Sequence, residues 1–244
     1  MILDEYRSLV FDRTGNNTKG FSFMMFYDSH AHCIKEQFGG ILIGIEGNPP
    51  LKGFMNNDDV RNTAALNRNY KACYYITNEW NAVPDETLLK YHPRREHYSV
   101  EEVIEDLRKR DCKLCIIDTL NQPYWGYLDF WKVVSTFPHI KFLLPHMGGY
   151  DIIDFVKILE FNKNVYCDFA MTQEYFGWCG TRARLGVVAD GIDYCLSHHK
   201  LSKKVLFGSD EPDFSQQLAL DKYLARPNAE DLLVNNYLEL INSI

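Results

Sequence analysis

No apolar run in this chain approaches the roughly 18 residues that cross a bilayer, so no membrane-spanning helix is expected. Nor is there a basic stripe. Lys and Arg number 26 against 33 Asp and Glu, a net charge of −7, which removes the electrostatic footprint of a nucleic-acid binder. The opening stretch, "MILDEYRSLVFDRTGNNTKG", is polar and acidic and fits neither a secretory signal nor an Arg-rich transit peptide. A disulfide framework is missing too: seven cysteines, an odd number, are scattered along the chain, as expected for thiols in a reducing, cytoplasmic compartment. "CKLC" (112–115) has redox or zinc-ribbon spacing, but no second C-x-x-C completes a zinc site, and Cys115 falls in an apolar strand pattern where it packs as a small hydrophobe. No internal repeat, linker or low-complexity tract divides the 244 residues, so residues 1–244 read as one domain.

What is present is a succession of short apolar, β-rich runs. They cover 21–30, 41–47, 70–77, 87–93, 113–119, 140–146, 164–170 and 203–210. Several are continuous rather than alternating, the pattern of strands covered on both faces. Helical patterns lie between them: 99–110, opened by the capping box Ser99/Glu102; 127–137; 150–161; and a closing amphipathic segment over 228–244 with Asn228 as its cap. Strand–helix alternation on this scale predicts a parallel sheet, and eight strands in a chain of this size predict a (β/α)8 TIM barrel. A doubly wound open sheet is the alternative. The barrel is expected to be slightly distorted, because only about eight residues separate His32 from "ILIGIEG". Residues 1–20 form a short N-terminal extension that caps the barrel or covers that gap.

Reactive residues of such barrels gather at the C-terminal ends of strands. "FYDSHAHC" (26–33) places His30 and His32 at i and i+2, on one face of the first strand. The fourth strand ends in Lys90 and His92, the fifth in Asp118, the sixth in His146, the seventh in Asp168 and the eighth in Asp210. Four of the eight histidines therefore sit at strand ends together with three acids. Each has a plain structural explanation alone; their joint placement points to a metal, for which imidazole is the commonest side-chain ligand.

"DSHAH", "PHMGG", "VYCDFA" and "FGSDEP", in this order, resemble the amidohydrolase superfamily, in particular its amidohydrolase-related branch of decarboxylases and lactonases. The resemblance runs from about residue 26 to the terminal helix, where "VNNYLELI" is similar to that branch's closing Asn-Ala-x-Arg-Leu segment. It implies a divalent metal, usually zinc, on His30, His32 and Asp210, with His146 orienting the reacting water or substrate and counted among the metal-site residues. The branch usually has a histidine after the fifth strand; here "IIDT" puts Asp118 there. Asp118 is expected to ligate, which would make the site more hospitable to manganese; a carboxylate bonded to a ligating imidazole, or loss of the metal, are the alternatives. Some superfamily members carboxylate a fourth-strand lysine, so Lys90 either enters the barrel or pairs at the surface.

The implied activity is hydrolysis of a small amide, ester or lactone, with Asp210 taking a proton from water and His146 polarising the substrate carbonyl. Non-oxidative decarboxylation on the same site is the alternative, and a non-catalytic or metal-independent barrel is the third. In "HPRREH" (92–97), His92 and Arg94 are candidates for an anionic substrate group. Trp80, Trp125 and Trp178 lie on strand-following loops and receive no role. The expected partner is a small molecule, with a homodimer left open.

Overall fold

The computed structural model describes residues 25–35, 38–47, 51–120, 123–172 and 183–244. The N-terminal extension expected over 1–20, the start of the first apolar run, Trp178 and Cys179 lie outside these residues.

Seven strands form one sheet: β1 (Phe26–Ala31), β2 (Phe38–Ile43), β3 (Tyr70–Tyr75), β4 (Leu88–Tyr91), β5 (Leu114–Ile117), β6 (Lys141–Leu144) and β7 (Val165–Cys167). Every strand is parallel to the next, and their order in the sheet is their order in the chain. β2, β4, β5 and β7 are buried along their whole length, which accounts for sequences that are continuously apolar except at Lys90 of β4. Helices α1 (Asn57–Leu66), α2 (Val100–Leu107), α3 (Tyr127–Thr136), α4 (Ile152–Phe161), α5 (Ala183–Ser197), α6 (Gln216–Leu224) and α7 (Asn236–Asn242) follow or connect the strands.

Alternation along the strands splits the core in two. Leu42, Leu89, Cys115, Ile117, Phe142, Leu144, Val165 and Cys167 pack in one cluster with apolar residues of the helices, such as Val103, Phe130 and Phe155. Ile41, Ile43, Cys73, Leu88, Leu114, Ile116, Leu143, Tyr166 and Leu206 form the other cluster, completed by Tyr237 and Leu240 of α7. Cys112 and Cys115 are buried thiols, in keeping with plain packing.

The eighth regular strand expected over 203–210 is not formed. Val205–Glu211 instead touches both edges of the sheet through single bridges, Cys167↔Val205 and Ala31↔Glu211. Leu206 N–H donates to Cys167 (2.8 Å), Ser29 N–H to Phe207 (2.8 Å), Asp210 N–H to His30 (2.8 Å) and His32 N–H to Glu211 (2.9 Å). The ladder fails because competing acceptors take its donors. Phe207 N–H goes to the Leu232 carbonyl, and Ser209 N–H to the Asp28 carboxylate. At Asp210 the chain turns to φ 63°.

Helix α1 has no apolar stripe that marks it in the sequence. α1 buries only Val60; its start is fixed by the Asn56/Asp59 capping box, and Asn57 bonds both backbone groups of Tyr75. The expected cap Asn228 has another task, its amide donating to the Leu196 carbonyl at 3.1 Å.

Candidate metal centre

The inner face of the sheet changes character along the strand direction. Lys90 stands two residues after Leu88, Asp118 two after Ile116 and Asp168 two after Tyr166, so each points to the same side as its apolar predecessor. His30, His32, Lys90, Asp118, His146 and Asp168 are all at most 2% exposed, His92 is 6% and Asp210 8%. Such a layer of buried ionisable groups costs stability unless its members neutralise or ligate one another.

Three ligand atoms converge at the seam between β1 and Val205–Glu211. His30 Nε2 lies 3.4 Å and His32 Nε2 3.2 Å from the same oxygen, Asp210 Oδ1. His32 Nδ1 donates to the Ile43 carbonyl at 2.8 Å, and a carbonyl can only accept. With its Nδ1 proton committed there, a neutral His32 turns the lone pair of Nε2 toward Asp210, the arrangement that a cation between them would complete. Two imidazole nitrogens and one carboxylate oxygen are the donor set of a catalytic metal, and the site fits one. Burial takes the His30 pKa well below its usual value, against the pull of Asp210; burial would raise the Asp210 pKa, but the histidines hold it below the carboxylate range. A second possible ligand group shares His30 and adds His146 and Asp168.

Asp118 belongs to a neighbouring cluster. Its Oδ2 is 3.2 Å from His146 Nε2, 3.6 Å from His92 Nε2 and 3.9 Å from Lys90 Nζ, and its Oδ1 accepts from Leu120 N–H at 3.3 Å. Burial alone would raise the Asp118 pKa, but His92, His146 and Lys90 hold it well below the carboxylate range. Burial lowers the pKa of His146 and the Asp118 carboxylate raises it more, to about 9, so His146 is an imidazolium. His92, with weaker support from Asp118, is taken down by burial to about 3. Lys90 Nζ and His92 Nδ1 have no hydrogen-bond partner. Of the two orientations open to Lys90, the structure shows the buried one.

His146 sits in a left-handed turn, Pro145–Asp151, in which His146, Met147, Gly148 and Gly149 all have positive φ. Only glycine fits at 148, where a Cβ would stand 2.2 Å from the Phe155 ring. The turn is held by side chains: Asp168 Oδ1 accepts from His146 N–H (3.1 Å), Thr172 donates to the His146 carbonyl (2.6 Å), and Thr119 accepts from Gly148 N–H (2.8 Å) while donating to the Pro145 carbonyl. His146 Nδ1 donates to the Ala170 carbonyl at 2.9 Å.

Two acids stand out only in three dimensions. Asp28 accepts from His30 N–H, Ser209 N–H, Ser209 Oγ and Gln216 Nε2, tying β1 to the 205–211 segment and to α6; burial raises its pKa to about 7 against these bonds. Asp168 Oδ2 faces His30 Nδ1 at 3.5 Å. In the sequence Asp28 is marked only by its place in "DSHAH" and Asp168 only by its strand end; their partners come from strands remote in the chain. Arg94 is half-buried beside His92. Trp125 is packed on Phe130 and donates to the Tyr98 carbonyl, and Trp80 packs on Tyr98.

No protein-family model and no curated protein matches the chain. Solved structures do. An uncharacterised TIM-barrel protein from Bordetella bronchiseptica superposes with a TM-score of 0.63 at 15% identity, over 85% of this chain and 79% of that one. A probable 2-pyrone-4,6-dicarboxylic acid hydrolase from Acinetobacter baumannii gives 0.59 at 12% identity, over 90% and 100%. Amidohydrolase 2 from Bifidobacterium longum subsp. infantis gives 0.58 at 16% identity, over 89% and 98%. These likenesses establish a fold of the TIM-barrel class. Among the described residues no helix is long and apolar enough to cross a membrane.

Proposed function

We propose that this chain is a metal-dependent hydrolase of the amidohydrolase-related kind, acting on a small amide, ester or lactone that carries a carboxylate. The whole chain serves as one barrel domain, with Val205–Glu211 in the place of the eighth strand. The observation that carries this reading is the convergence of His30 Nε2 and His32 Nε2 on one buried oxygen, Asp210 Oδ1, two imidazoles and a carboxylate within ligating reach of one point. Zinc suits two imidazoles and a carboxylate, and manganese is the second choice. A divalent ion held there would supply Lewis acidity, acidifying a water or polarising a carbonyl.

The chain's own groups do the rest. Asp210, the most exposed of the three proposed ligands, accepts the proton of the attacking water. His146 holds a proton on Nε2, paired with Asp118, and gives it to the substrate carbonyl oxygen or the leaving group. Lys90 Nζ, a buried donor without a partner among the described residues, receives the substrate's carboxylate together with Arg94, and His92 lines the same place. Asp118 orders this cluster; its place as a further metal ligand is the alternative assignment.

The test is metal analysis of protein purified without chelator, followed by a screen of lactones, esters, amides and aromatic carboxylates, with release of CO2 monitored for the last. About one zinc or manganese per chain is expected, falling well below one in His30→Ala and Asp210→Asn. Absence of metal together with no gain of activity on adding either ion would overturn the reading.

A further inference from the structure

His30 has two carboxylates and one proton to share between them. Its Nε2 faces Asp210 and its Nδ1 faces Asp168 Oδ2 at 3.5 Å. Among the described residues, both His30 Nδ1 and Asp168 Oδ2 are buried without a hydrogen-bond partner, and they face each other. The other oxygen of Asp168 is committed, accepting from the N–H groups of His146 (3.1 Å) and Ala170 (3.0 Å). A neutral His30 therefore has two arrangements. With the proton on Nδ1 it donates to Asp168 and offers Nε2 to a metal beside His32 and Asp210. With the proton on Nε2 it donates to Asp210 and offers Nδ1 to a metal shared with Asp168 and His146.

The second arrangement fails on His146. Both its nitrogens are occupied, Nδ1 by the Ala170 carbonyl and Nε2 by Asp118, so it has no lone pair to give without breaking a contact. We infer that Asp168 is a positioning residue: it takes the Nδ1 proton of His30, fixes the tautomer that exposes Nε2, and through its second oxygen ties this choice to the backbone of His146. This rests on the metal reading above for its purpose.

Room for this reach is built into the 205–211 segment. A Cβ at Gly208 would stand 2.7 Å from Asp168 Cγ and 2.9 Å from Oδ2, so the absence of a side chain there is what lets the carboxylate approach β1. Carboxylates that hold a ligating imidazole by its far nitrogen typically contribute 10- to 100-fold in metal affinity.

The test is Asp168→Asn. The asparagine oxygen keeps the two backbone donors, so the fold is retained, while its NH2 now faces His30 Nδ1 and compels that nitrogen to accept. The proton moves to Nε2 and blocks ligation. Long-range 15N NMR of the metal-free protein, with His30 signals assigned from their loss in His30→Gln, is expected to show an Nδ1–H imidazole in the wild type and an Nε2–H imidazole in Asp168→Asn. Titration with zinc or manganese alone should weaken about 10- to 100-fold, with the melting temperature of the metal-free forms little changed. An Nε2–H tautomer in the wild type, which needs no variant to observe, would overturn the inference; so would unchanged metal affinity in a folded Asp168→Asn. Wild-type protein that binds neither ion would overturn the metal reading instead, and the tautomer would still decide the role of Asp168.

Discussion

His146 and Asp118 show how residue identity and backbone shape are matched at this site. His146 adopts φ 64°, a region that histidine, asparagine and aspartate enter more readily than other side chains. His146→Asn therefore suits the turn and keeps the backbone bonds to Asp168 and Thr172, while losing the imidazolium. The expected outcome is a fall of roughly 10²–10⁴ in kcat with most of the metal retained, measured by steady-state turnover beside metal analysis and a thermal melt. Collapse of the melting temperature with turnover unaffected would mean that His146 only packs. Asp118→Ala separates the two roles open to that acid. If it is the counter-charge of Lys90, His92 and His146, its removal strands buried cationic groups and costs about 3–5 kcal/mol in urea unfolding of the metal-free protein. A metal ligand instead shows its loss in metal content, with metal-free stability little altered.

At the level of elements, α2 is the helix whose start is written most plainly. Ser99 Oγ accepts from Glu102 N–H at 3.2 Å, and the Glu102 carboxylate accepts from Ser99 N–H and Oγ at 2.8 Å each. Ser99→Ala should cost about 1 kcal/mol near neutral pH, read as a shift of the urea midpoint. Those bonds, the backbone one first, hold Glu102 below its usual 4.5. A depressed carboxylate contributes stability that is present above the unfolded value and lost as the pH falls through the folded one. The difference between Ser99→Ala and wild type should accordingly shrink below pH 4.5.

The same scale explains what the sequence discloses. "DSHAH", "LPHMGG" and "FGSDEP" are legible because a period of two and a strand end determine where a side chain goes before any partner is known. Lys90 is ambiguous by that rule until β4 is seen to be buried on both faces. The pairing of Asp168 with His30, and of Asp28 with Ser209 and Gln216, depends on which strand lies beside which, a long-range property no local pattern carries. The eighth run reads as a strand from its apolar residues, yet the Asp28 carboxylate takes a backbone donor that a regular ladder needs. α1 escapes the periodic pattern because it buries one side chain and is anchored by Asn56 and Asn57 instead.

For the whole molecule, the seam between β1 and Val205–Glu211 matters most. It holds few backbone bonds and carries the three proposed ligands. Bound metal acts there as a clasp, so its effect on stability should exceed that of any surface interaction. With free zinc or manganese at about 100 times its dissociation constant, linkage predicts about 2.7 kcal/mol of added stability. A higher melting temperature on loading, reversed by a chelator, is the expected result.

That seam also sets an order of events. His30 and His32 precede Asp210 by about 180 residues, so two of the three proposed ligands stand apart from the third until the seam closes. The contacts that join the halves have among the largest sequence separations in the fold, Ser209 to Asp28 spanning 181 residues and Gln216 to Asp28 spanning 188. Closing so long a loop precedes any gain from it, which makes this the slow step of assembly. A metal on the three proposed ligands would thereby be held only once this loop has closed; a truncated chain ending before Gly208 carries the two histidines but has neither Asp210 nor the segment that holds it against β1.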